Sequence, residues 1–128
     1  MIVTIHLPMP PSVNNLYINA GNRRVRSRRY RSWQEDAGWH LKAAKPDRIV
    51  GPVTVVVELF VPDKRRRDAD NMNKPVLDLL VAHGVIEADD RRIVRSVISM
   101  WIDEPRVHSC TVIITPVVAS PPLSRMEA

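Results

Sequence analysis

A single cysteine, Cys110, stands in the 128-residue chain. No disulfide can form within it, so nothing in its chemistry requires an oxidising compartment. Cys110 lies in an alternating apolar run and reads as a small core residue. No apolar run approaches the ~20 residues that span a bilayer. The opening segment, Met1 to Pro8, lacks a charged n-region and is too short for a signal core. A soluble cytoplasmic protein with no membrane partner is expected. Histidine never falls at metal-ligand spacing: His6 and His108 lie in expected strands and His40 in the first expected helix. His83 ends the second, where a cation suits the helix dipole. Internal repeats are absent.

What is present is basic charge in clusters. Lysine and arginine total 19 against 14 acids, giving a net charge of +5 and a pI near 10.0. Arg23, Arg24, Arg26, Arg28, Arg29 and Arg31 form one cluster, Lys64 to Arg67 a second, and Arg91, Arg92 and Arg95 a third. Few acids interleave the first. Such stripes are the electrostatic footprint of nucleic-acid binding, the alternative being a solvated basic surface. Hydrophobic residues make up 45% of the chain, which suits one globular domain.

The periodicity predicts an α+β fold: a single domain in β-α-β-α-β-β order, with a mixed sheet and helices packed on it. Residues 2–7 alternate and read as a strand ended by Pro8, Pro10 and Pro11. Ser12 to Arg29 read as a long loop, of the kind that is usually functional or mobile. From Tyr30 to Lys45 the period is helical, with Trp33, Ala37, Leu41 and Ala44 on one face. Trp39 lies off that face, free for a partner subunit, DNA or a peripheral core contact. Val53 to Val61 is nearly all apolar and reads as a central strand covered on both sides. A second helix runs from Asn71 or Met72 to His83, with Gly84 in a left-handed C′ position. Pro75 limits where that helix can begin. Ile93 to Ile102 and His108 to Thr115 read as a final hairpin. The domain covers residues 1–115, and residues 116–128 read as a flexible tail.

The densest chemistry follows the central strand. Asp68 and Asp70 are two residues apart, so in extended chain they point the same way, ~6.6 Å apart. Asn71, Lys74 and Asp78 share one face of the following helix. Asp89 and Asp90 come after that helix, on a loop free to fold back beside it or swing away. Carboxylates packed this closely repel unless a cation sits among them. A divalent ion with oxygen ligands is the natural cation, and magnesium or manganese suits the site better than zinc because no His/Cys cluster accompanies the acids. Carboxylates that hold a metal, a lysine near a scissile phosphate and flanking arginines are the parts of metal-assisted phosphodiester cleavage. The bland alternatives are a helix cap at Asp70 or Asn71, an ordinary Lys74–Asp78 surface pair, and a turn in which Asp89 or Asp90 pairs with Arg91 or Arg92.

The run Arg65-Arg66-Arg67-Asp68-Ala69-Asp70-Asn71, then Lys74, Asp78, Leu80, Gly84 and Asp89-Asp90, resembles the signature of RusA-type Holliday junction resolvases. Pro10-Pro11-Ser12-Val13-Asn14-Asn15 resembles that family's start, and Tyr30-Arg31-Ser32-Trp33 the beginning of its first helix. The likeness spans residues 2–115. It implies a homodimeric, magnesium-dependent endonuclease that cuts four-way DNA junctions by paired symmetric nicks, in a bacterial or phage setting. Matched onto this chain, the metal ligands are Asp68, Asp70 and Asp90, with Asp89 as a helper, and Lys74 is the catalytic lysine. Asn71 joins Lys64, Arg65, Arg66, Arg67, Arg28 and Arg29 among the DNA-binding candidates. A two-fold junction needing two cuts is matched by a C₂ dimer with two identical sites. The competing readings are a non-catalytic basic DNA-binding module and a metal-dependent nuclease acting on flaps or RNA.

Overall fold

The computed structural model describes residues 1–61 and 72–118. Strand β1, Val3–Leu7, alternates buried and exposed residues along its length. β2 (Tyr17–Ala20) and β3 (Arg23–Arg26) follow a 3-10 turn at Val13–Asn15, and helix α1 spans Arg28–Ala44. β4 is Val53–Leu59, α2 is Asn73–Ala82, β5 is Val94–Trp101 and β6 is Cys110–Pro116. The order is α+β in a single domain, as the periodicity implies.

The main sheet has the strand order β1-β6-β4-β5. β4 pairs parallel with β5 and antiparallel with β6, so the sheet is mixed. The central place of β4 follows from its composition, since Val53, Val55, Val57 and Leu59 are all buried. Its alternate residues Thr54, Val56 and Glu58 are half-buried, so one face of β4 is fully covered and the other only partly. Val3, Ile5, Leu7, Val112 and Ile114 continue the covered face. Tyr30, Trp33, Ala37 and Leu41 of α1, and Val76, Leu79 and Leu80 of α2, close the same core. Each such side chain contributes about 1.5–3 kcal/mol by leaving water.

Several expectations are corrected. β5 and β6 do not form a hairpin, because β4 lies between them. Both ends meet at Leu59, which pairs with Trp101 on one side and Cys110 on the other. Residues 102–109 cross the end of β4, and the gap of two strand spacings, ~9.6 Å, is easily bridged by that length of chain. The apolar β4 gains a hydrogen-bonded neighbour on each edge, which a β5–β6 hairpin would deny it. Alternation reveals a strand but not its partner.

Residues 12–29 are also more ordered than a loop. They hold the 3-10 turn and an antiparallel hairpin in which Tyr17 faces Arg26 and Ala20 faces Arg23. Gly21 turns it with a positive φ of 66°, a conformation that costs glycine little. Four-residue strands are too short to show a clear period among arginines and asparagines. α1 starts earlier than its apolar face suggests because Ser27 caps it, its hydroxyl accepting from the Tyr30 N–H at 3.0 Å. Ala44 is exposed rather than on the core stripe, and the chain leaves the helix through a left-handed Lys45. Trp39 makes no core contact of the peripheral kind; it is 63% exposed, with the Lys42 ammonium 4.9 Å from its ring centre.

Candidate active site around Lys74

The first turn of α2 carries the site. Pro75 is its third residue, within the turn whose N–H groups have no helical acceptor, so the ring costs no hydrogen bond. Pro75 is buried, which turns its neighbour Lys74 toward solvent. The N-cap position falls on Met72 rather than on Asp70 or Asn71. Asn73 Oδ1 accepts a hydrogen bond from the Ser99 hydroxyl and ties the start of α2 to β5.

Lys74 Nζ lies 3.2 Å from Asp78 Oδ2, one turn along the helix. The hydrogen bond and charge of Asp78 raise the lysine's pKa, with smaller contributions from Tyr17 and Asp89. Lys74 is therefore a fixed cation at any physiological pH. Asp78 also lies within electrostatic reach of the Tyr30 phenol on α1. Tyr30 is 1% exposed. Burial first, then the neighbouring Asp78 carboxylate, push its phenol up to about 12. The Tyr17 ring meets the Tyr30 ring edge-on, with centroids 6.0 Å apart. Trp33 backs Tyr30 and donates its indole N–H to the Pro8 carbonyl at 3.0 Å.

The loop after α2 folds back. Gly84 turns the chain at a φ of 72°, as its C′ position requires. Val85 and Ile86 are then buried, and the Ile49 N–H donates to the Val85 carbonyl at 2.9 Å. This returns Asp89 to within electrostatic reach of Lys74. Asp90 sits in a tight turn before β5. Its Oδ1 accepts from the Arg92 N–H at 2.9 Å and from Arg92 Nε at 3.2 Å, and its Oδ2 from Nη2 at 2.9 Å. These bonds hold the Asp90 carboxyl below the usual carboxylate range. The turn-cap alternative thus describes Asp90 in this structure, while leaving the carboxylate ionised and half-exposed.

The other expected site residues divide in two. Lys64, Arg65, Arg66, Arg67, Asp68, Asp70 and Asn71 lie outside the described residues. Arg28 and Arg29 occupy the first turn of α1 and are exposed. Cations at a helix N-terminus oppose its dipole, so their place there does not serve the helix. Sequence reasoning missed the part played by Tyr17 and Tyr30. Tyr30 and Asp78 are far apart in the chain, and no spacing rule links them. The only local signal was Tyr30 at i−3 from Trp33 on the buried face.

A family model described as Endodeoxyribonuclease RusA matches residues 8–109. The chain belongs to the RusA family. Its relatives include a Crossover junction endodeoxyribonuclease RusA of Escherichia coli K12, 30% identical over 115 residues, covering 89% of this chain and 83% of that protein. One of the same name from Aquifex aeolicus is 36% identical over 86 residues, covering 66% of this chain and 67% of its own. Another, from Enterobacteria phage 82, is 29% identical over 114 residues, covering 88% and 82%. The RusA match contains Tyr30, Lys74, Asp78, Asp89 and Asp90 together. Among the described residues, no helix is long and apolar enough to cross a membrane.

Proposed function

We propose that this RusA-family chain is a cytoplasmic, metal-dependent endonuclease that resolves four-way DNA junctions as a homodimer, by paired symmetric nicks. The observation that supports it most is an exposed lysine held in place at the start of α2, with Lys74 Nζ 3.2 Å from Asp78 Oδ2 and the Asp89 charge on the next loop felt there. Relatives covering most of the chain carry the name crossover junction endodeoxyribonuclease.

The residues suit a hard cation. Asp90 is ionised and reachable, and its ion-pair partner Arg92 has a side chain that is 81% exposed and able to yield its place as counter-charge. Asp68, Asp70 and Asp90, with Asp89 beside them, would hold the magnesium or manganese ion, which when bound supplies an activated water and neutralises phosphate charge. The chain's own part is electrostatic. Lys74, fixed by Asp78, presents its ammonium to the scissile phosphate and offsets the negative charge that grows in the transition state. Lys64 to Arg67, Arg28, Arg29 and Asn71 hold the DNA backbone.

The test is a gel assay of purified protein with a synthetic four-way junction, a linear duplex, a flap and an RNA, in magnesium and then manganese. Symmetric nicks on the junction alone are expected. Binding without cutting in either metal favours a non-catalytic module. Equal cutting of flaps or RNA contradicts junction specificity.

A further inference from the structure

The hairpin β2–β3 carries chemistry that the Lys74 site does not use. Its register sets Tyr17 opposite Arg26 and Asn19 opposite Arg24. Alternation places these four side chains on one face and Ile18, Val25, Ala20 and Arg23 on the other. The base of the arm is clamped. The Ser27 N–H donates to the Leu16 carbonyl at 2.8 Å, and the Ser27 hydroxyl to the Asn15 carbonyl at 2.7 Å. Leu16 is fully buried, and Arg26 Nη1 donates to Gln34 Oε1 at 2.7 Å, fastening β3 to α1. Beyond that base the arm stands in solvent, and Ile18 keeps 53% of its surface exposed.

A cleft of about 520 Å³ opens against this arm, lined by Tyr17, Ile18, Arg24, Val25, Arg26 and Arg31. Among the described residues, its lining gathers three guanidinium groups and no carboxylate. The Arg24 guanidinium lies 4.9 Å from the Tyr17 ring centre. Tyr17 also packs edge-on against Tyr30, the α1 residue next to Asp78, so the cleft opens beside the Lys74–Asp78 pair. Cations clustered in this way repel one another, and they suit an anionic ligand. Guanidinium forks match phosphate oxygens two at a time, and Arg26 keeps donors beyond the one given to Gln34. The Tyr17 ring beside them suits a sugar or a base.

We propose that this cleft is a strand-binding subsite for the DNA that continues from the phosphate at Lys74. Arg24, Arg26 and Arg31 hold successive phosphates, and Tyr17 supports the adjoining sugar and base. The assignment rests on Lys74 marking the cleavage point.

The experiment compares wild type with the double variant Arg24→Ala, Arg31→Ala, both exposed positions, after confirming equal thermal midpoints. Affinity for a labelled four-way junction and a labelled duplex is measured by fluorescence anisotropy across a salt series, with EDTA present so that nothing is cut. The slope of log K against log salt should fall by about 0.9 per lost phosphate contact, so by about 1.8 for the pair. Ethylation interference should lose its signal at phosphates close to the cut. An unchanged slope and affinity overturns the subsite, and so does lost interference confined to phosphates remote from the cut. Lys74→Ala is run beside it for cleavage. If Lys74→Ala still cuts at the wild-type rate, the reading of Lys74 fails, whereas the salt slope of the arginine pair still reports whether the cleft holds DNA.

Discussion

Tyr30, a buried residue of α1, lies close enough to Asp78 for that carboxylate to help push its phenol pKa up. That same carboxylate lies 3.2 Å from Lys74 Nζ. Lys74 is thus paired with a carboxylate that borders the hydrophobic core. A flexible four-carbon side chain gains a preferred position at little cost in burial, and the cation remains accessible.

Lys74→Ala should lower single-turnover junction cleavage by about 10²–10³-fold, the usual loss when one donor to a developing charge is removed. Binding to the junction should change little. A rate within a few-fold of wild type removes Lys74 from the chemistry.

Tyr30→Phe keeps the ring and deletes the hydroxyl. With no phenol to ionise, the variant should keep between pH 10 and 12 the stability that wild type loses there. Cleavage should fall by less than in Lys74→Ala, because Asp78 stays. An equal alkaline loss in both proteins would mean that Tyr30 is not the source of it.

The same residue sets an alkaline limit. Its folded pKa, about 12, lies above the ordinary value of 10.0. Its contribution to stability is therefore fully present below pH 10 and is lost as pH rises through 12. In a Tyr17→Phe background, ultraviolet titration should show the remaining phenol ionising near 12. Titration near 10 in the folded protein contradicts the buried Tyr30–Asp78 arrangement.

Arg28→Ala with Arg29→Ala should weaken junction binding and flatten its salt dependence, since fewer counterions are released per complex. The two residues are exposed and poorly placed for the helix dipole, so the thermal midpoint should hold or rise. A salt slope equal to wild type returns them to the solvated surface.

Much of this was legible before the structure. The apolar run at β4 announced a central strand, and Gly84 announced the end of α2. The i,i+4 spacing of Lys74 and Asp78 announced their pairing. What stayed hidden depends on distant contacts. Tyr30 meets Asp78 only because α1 and α2 share one core. The partner of β5 depends on which edge of β4 is free, a property of the sheet rather than of any segment. The β2–β3 hairpin was obscured because arginine and asparagine disguise so short a pair of strands. The return of Asp89 toward Lys74 needed Val85 and Ile86 to be buried, which local spacing suggests but does not fix.

Asp70→Asn should abolish cleavage while leaving junction binding equal or tighter, because a like charge beside the DNA is removed. Measured together in magnesium, wild type and Asp70→Asn test the central claim most directly. The account predicts paired symmetric nicks on the four-way junction by wild type, and a stable complex without nicks for the variant. Cleavage by Asp70→Asn at the wild-type rate, or no cleavage of any junction by wild type, would contradict it.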